Sequence, residues 1–169
     1  MLKVIITGPE SSGKTTLCKA LSEHFNISFV EEFSRKYLDR NGTNYTQSDL
    51  LEIAKAQLKM EKLATNNQQL SLYDTDLITI KIWSNYKYGF CDSWILEQIE
   101  KQRTENRLYL LCKPDIPWEA DPLRENSNDR EVLFEIYKKE LEKVICKYAV
   151  IKGKNRSEVA IKKITDLIS

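Results

Sequence analysis

Apolar residues along this chain follow two rhythms. Short unbroken runs, KVIIT (3–7), ISFV (27–30), QLSLYD (69–74), RLYLLCK (107–113) and YAVI (148–151), read as strands buried on both faces. Between them apolar positions recur every three or four residues. That spacing predicts helices from Lys14 to about His24, over 46–63, over 77–89 ending at Gly89, over 92–102, over 129–145 and over 156–168. In the second of these Thr46 is the expected N-cap, with Leu51, Ala54 and Leu58 on one face. In the fifth, Leu133, Ile136, Tyr137, Leu141 and Val144 repeat at helical spacing.

Strands alternating with helices require crossover connections, hence a parallel sheet inside a three-layer α/β/α sandwich. Pro114, Pro117 and Pro122 break regular structure from Pro114 to about Ser127. No linker or internal repeat interrupts the pattern, so one domain is expected over residues 1–169.

The chain has 169 residues and a net charge of +1, which gives no reason to expect nucleic-acid binding. No apolar run approaches membrane length and no signal peptide is visible, so no membrane association and a cytoplasmic location are expected. Cys18, Cys91, Cys112 and Cys146 show no C-x-x-C pair, and Cys18 and Cys112 are expected to pack as small hydrophobes. The only histidine, His24, falls at the polar end of a predicted helix. Serine- or cysteine-histidine catalysis is thereby strongly disfavoured.

The segment GPESSGKTTL (8–17) changes the picture. Gly8, Gly13, Lys14 and Thr15 match G-x-x-x-x-G-K-[ST], behind a predicted strand and in front of a predicted helix. The glycines let the backbone curl so that N–H groups of Gly8, Glu10, Ser11, Ser12, Gly13, Lys14, Thr15 and Thr16 can face phosphate oxygens. The helix N-terminus adds its dipole, Lys14 reaches the β- and γ-phosphates, and the Thr15 hydroxyl ligates magnesium. The loop is built for a nucleoside triphosphate.

Three polar clusters follow strand ends, where ligands of such sheets bind. They are EEFSR (31–35), DTD (74–76) and DPLRENSNDR (121–130). Glu31, Glu32 and Arg35 are either site residues or a solvated helix start. Asp76 either serves the site or caps the following helix. Asp74 ends an apolar strand aimed at the loop, and Arg130 is a cation set against a helix dipole. Trp83, Trp118 and Tyr86 either pack at core and rim or stack on a flat ring. A GTPase switch is disfavoured: Cys112 stands where a guanine-reading asparagine belongs, and no D-x-x-G follows the third strand.

GPESSGKTTL, EEFSRKYL, LYDTDLITIKIW and LLCKPDIPWEADPLRENSNDREVLFEIY together resemble the ribosylnicotinamide kinase domain of the NadR family over nearly the whole chain. The resemblance implies a P-loop kinase fold with strand order 2-3-1-4-5, and ATP-dependent phosphorylation of the ribose 5′-hydroxyl of nicotinamide riboside. It also implies that the adenylyltransferase domain and DNA-binding segment of longer members are missing, since the first strand starts at residue 3. Some members carry tryptophan where this chain has Glu31.

On this reading Lys14 and Thr15 hold phosphate and magnesium, and Asp74 organises the metal or takes the acceptor proton. Glu32, Arg35 and Asp76 bind the nucleoside. Arg124 and Arg130 close over the phosphates from a lid of about 114–130 that is poorly ordered or open without nucleotide and ordered with it. A kinase of another nucleoside or small alcohol, and a nucleotide-binding regulator, remain the alternatives.

Overall fold

The computed structural model describes residues 1–64, 69–124, 128–144 and 146–168. Strands β1 (Leu2–Thr7), β2 (Phe29–Val30), β3 (Leu70–Asp74), β4 (Arg107–Cys112) and β5 (Lys147–Ile151) form one parallel sheet. Its order is β2-β3-β1-β4-β5, as the resemblance implies. Helices α1 (Lys14–Phe25), α2 (Phe33–Asn41), α3 (Gln47–Ala64), α4 (Leu77–Tyr88), α5 (Ser93–Gln102), α6 (Arg130–Lys143) and α7 (Arg156–Ile168) complete the chain.

The pleat of β1 sends side chains alternately into two cores. Ile5 joins Leu50, Ile53, Leu77, Ile95 and Leu141 beneath α3 to α6. Val4 and Ile6 join Leu17, Leu21, Ala160 and Ile164 beneath α1 and α7. With both faces covered, the central strands need apolar residues at every position, which is why they read as unbroken runs.

Three local features depart from the expected elements. β2 has two residues instead of four, because Asn26 turns left-handed (φ 52) and the Ile27 amide bonds back to Ser22 O at 3.1 Å, finishing α1 in a Schellman turn. α2 is a helix of its own. Its Phe33 amide donates to Gln57 Oε1 at 2.8 Å, so α3 caps it from outside. The buried face of α3 runs through Leu50, Ile53, Ala54, Gln57, Leu58 and Glu61, leaving Leu51 half-buried. Thr46 caps α3 as expected, in a reciprocal box: the Thr46 amide donates to Asp49 Oδ2 at 2.6 Å and the Asp49 amide to Thr46 Oγ1 at 3.4 Å.

The register aligns Ile6 with Asp74 and Thr7 with Leu111. The ends of β1, β3 and β4 therefore meet at one edge of the sheet, where the loops carrying polar residues emerge.

Candidate active site

The loop after β1 is shaped by its neighbour. Gly8 sits at φ 137, and a Cβ there would come within 2.6 Å of the Cys112 carbonyl oxygen at the end of β4. Ser11 (φ 52) and Gly13 (φ 82) are both left-handed, and Ser12 Oγ donates to Pro9 O at 2.7 Å. Successive turns of this kind make a concave row of backbone donors ahead of the α1 N-terminus. Lys14 Nζ reaches back over the loop to Gly8 O at 3.0 Å and Pro9 O at 2.9 Å.

Thr15 Oγ1 donates to Asp74 Oδ2 at 2.7 Å. Asp74 is 2% exposed, and its Oδ1 is buried with no hydrogen-bond partner among the described residues. Burial first, and then the Glu32 carboxylate, push the Asp74 pKa up to about 6. An orphaned carboxylate oxygen beside a threonine hydroxyl fits a hard cation such as magnesium, which takes one or two carboxylates and completes its shell from water and substrate phosphates. Accordingly, no group of three or more His, Cys, Asp or Glu among the described residues is arranged as a complete metal cage.

One cleft runs from this loop toward α4 and α6. Gly8, Glu10, Ser11, Ser12, Gly13, Lys14, Thr15 and Thr16 line one end. Glu32, Ser34 and Arg35 of α2 and its N-cap form one flank, and Glu119, Leu123 and Arg124 the other. The far wall is Thr79, Ile82, Trp83 and Tyr86 of α4 with Leu133 and Tyr137 of α6. Trp83 is fixed from behind, its Nε1 donating to Tyr45 OH at 2.5 Å. Of that wall the sequence singled out only Trp83 and Tyr86, because Thr79, Ile82, Leu133 and Tyr137 share the helical spacing of core positions.

Asp76 does not reach this cleft, contrary to expectation. It is 1% exposed and caps α4, accepting from the Ile78 amide at 3.0 Å. Its other oxygen accepts from Tyr109 OH at 2.7 Å and Arg107 Nη1 at 3.2 Å. Arg107 also pairs with Glu61 and Glu105, and Lys3 bridges the same two glutamates. Nucleoside binding by Asp76 is thus corrected to a buried structural role, since both of its oxygens are committed inward.

The segment after β4 lies down on the phosphate loop, where an open lid was expected. The Glu119 amide donates to Ser11 Oγ at 3.0 Å. Arg130 Nη1 donates to Ser11 O at 3.2 Å and Ile116 O at 3.0 Å, so Arg130 braces the loop from beside the cleft and is absent from its lining. Trp118 lies between Arg124 and Arg130, whose guanidinium carbons are 5.9 and 5.6 Å from its ring centre. Arg124 donates to Glu119 O, and Arg35 pairs with Asp121, so α2 and this segment are joined across the cleft mouth. Of the expected lid, residues 125–127 lie outside the described residues.

Arg156 is a functional candidate the sequence reading missed. Its Nη1 donates to Ser12 O at 2.7 Å, and its Nη2 to Lys113 O at 2.7 Å and to Asp115. Like Arg130 it is a cation in the first position of a helix, so the argument that singled out Arg130 applied to it equally. Cys18 and Cys112 are fully buried as expected, and burial pushes the Cys112 thiol up to about 12.

The family model described as AAA domain (AAA_28) matches residues 3–158. The trifunctional NAD biosynthesis/regulator protein NadR of Salmonella typhimurium is 28% identical over 127 residues, covering 72% of this chain and 30% of NadR. The chain therefore spans under a third of the length of that curated relative. Among solved structures, NadR in complex with NR matches with a TM-score of 0.75 at 21% identity, over 97% of this chain and 50% of that one. Deoxyadenosine kinase from M. mycoides with bound dCTP matches at 0.58 and 14% identity, over 97% and 99%. No described helix is long and apolar enough to cross a membrane.

Proposed function

The chain belongs to the AAA-domain family (AAA_28), and from that premise we propose that it is a single-domain kinase moving the γ-phosphoryl of ATP to the ribose 5′-hydroxyl of nicotinamide riboside. The observation that carries the reading is the cleft that joins the phosphate loop to a largely apolar and aromatic wall, with the Glu32 carboxylate on its flank. The NadR relative and the NadR complex with NR support this choice of acceptor.

The residues divide the work. Lys14 and the loop amides bind the β- and γ-phosphates of ATP. Thr15 and Asp74 hold magnesium, which when bound neutralises charge on the phosphoryl oxygens. Glu32 lines the acceptor half, partly exposed, and takes the proton of the attacking hydroxyl. Its Oε1 accepts from Ser34 Oγ at 2.7 Å, which orients it. Asp74, already bonded to Thr15 and assigned to the metal, is less free to take that proton. Arg35 and Arg124, both paired with Asp121, sit where they can turn onto the acceptor and the phosphates. Trp83 and Tyr86 offer flat faces to a ring.

Glu31, in the place of a tryptophan of some NadR members, is exposed and paired with Lys36 at 2.6 Å. It is absent from the cleft lining, so the aromatic wall does not depend on it.

The test is ADP release in the presence of nicotinamide riboside, nicotinic acid riboside, deoxyadenosine and the common ribonucleosides, with the product identified by mass. Acceleration by nicotinamide riboside above all others is expected. Acceleration by a different nucleoside would replace the acceptor. ADP release unmoved by every acceptor would favour a nucleotide-timed regulator.

A further inference from the structure

Asp74 and Asp76 flank Thr75, and the three residues are held from opposite sides. Thr75 is at φ 67, a left-handed conformation that a β-branched residue adopts only when its surroundings impose it. On one side its amide donates to Ile6 O at 2.9 Å, continuing the ladder beside Asp74. On the other side Asp76 has both oxygens engaged, by the Ile78 amide and by Tyr109 and Arg107. Arg107 is itself 5% exposed and fixed by Glu61 and Glu105. The force that keeps Thr75 in its conformation therefore originates at the start of β4, in the core beneath α3 to α6 and outside the cleft lining.

We propose that Asp76, Tyr109 and Arg107 are positioning residues for Asp74. They pin the far end of the turn, the pinned turn forces Thr75 left-handed, and that conformation fixes the Asp74 carboxylate beside Thr15 with Oδ1 free for magnesium. The inference rests on the reading of Asp74 as a ligand of a magnesium nucleotide. It adds that metal affinity is set by a buried arginine network more than thirty residues away in sequence. Loss of an outer partner that orients a metal ligand weakens metal binding by about 10- to 100-fold.

The experiment is calorimetric titration with ADP, with magnesium and with chelator. Tyr109→Phe deletes one hydroxyl at nearly constant volume, and Asp76→Asn preserves shape as a second route should the first misfold. Each should weaken ADP binding about 10-fold in magnesium and leave binding in chelator unchanged. Adding Thr75→Gly should restore most of the loss, because glycine adopts this φ without support. A structural role alone would lower thermal stability without that rescue. Folded variants that bind magnesium ADP like the parent, or a loss that Thr75→Gly leaves untouched, would overturn the proposal. The probe is ADP and not an acceptor. A chain that phosphorylates no nucleoside would thus refute the proposed reaction while this readout stood.

Discussion

The Thr15 hydroxyl donates to Asp74 Oδ2 at 2.7 Å, tying the first turn of α1 to the end of β3. The same arrangement leaves Oδ1 buried and unpartnered, and so stores a cost in the ligand-free fold. With its pKa pushed up to about 6, Asp74 binds a proton more readily folded than unfolded. The contribution of this one group to stability is therefore fully present below about pH 4, is lost as pH rises through about 6, and stays absent beyond. Asp74→Asn should raise the neutral-pH stability of the free protein by about 1–3 kcal/mol, with the gain vanishing near pH 4. Activity should fall ~10²-fold or more. Thermal melts at pH 7.5 and pH 4 check the first statement, and an unchanged Tm at pH 7.5 would contradict it.

Glu32→Gln keeps the hydrogen-bonding shape of the side chain and removes its basicity. If Glu32 accepts the acceptor proton, kcat should drop by about 10²–10⁴ with the KM for ATP nearly unchanged. A rise in nucleoside KM at constant kcat would instead make Glu32 a binding residue only.

Gly8→Ala tests the contact between the phosphate loop and β4. The new methyl would meet the Cys112 carbonyl at 2.6 Å, and the φ of 137 suits glycine alone. Backbone must shift on one side, and a loss of at least about 2 kcal/mol is expected, with nucleotide binding lost alongside. Urea unfolding and ATP-analogue titration measure the two effects, and a stable variant that binds normally would show the loop to be more pliant than drawn.

Arg130→Ala and Arg156→Ala should behave alike, since each guanidinium ties a loop carbonyl to the segment after β4. Each should cost about 1–3 kcal/mol and raise the KM for ATP. Hydrogen exchange at residues 8–16 should quicken in both. If only Arg130→Ala lowers kcat at saturating ATP, that arginine also acts on the transferring phosphoryl.

What the sequence disclosed was what is local. The strand, loop and helix from residue 2 to residue 25 are legible from their own glycines, lysine and apolar run. The fate of Asp76 was hidden because Tyr109 and Arg107 lie 33 and 31 residues away, and only the crossover through α4 and α5 brings β4 back to it. α2 left a faint trace, with just Ser34 and Leu38 buried and its first amide satisfied by Gln57 of another helix. The cleft wall was masked for a different reason: Thr79, Trp83 and Tyr137 are partly core and partly lining, and one hydropathic pattern serves both.

The shortness of β2 has a consequence for how copies of this chain meet. It is the outer strand at its end of the sheet and contributes only Phe29 and Val30. So short an edge leaves few unpaired amides and carbonyls for another chain to dock against, and growth by strand addition finds no template there. The opposite outer strand, β5, is longer but opens on the exposed Lys147, whose charge discourages the same addition. Strand addition is thus discouraged at both margins, at one by brevity and at the other by charge.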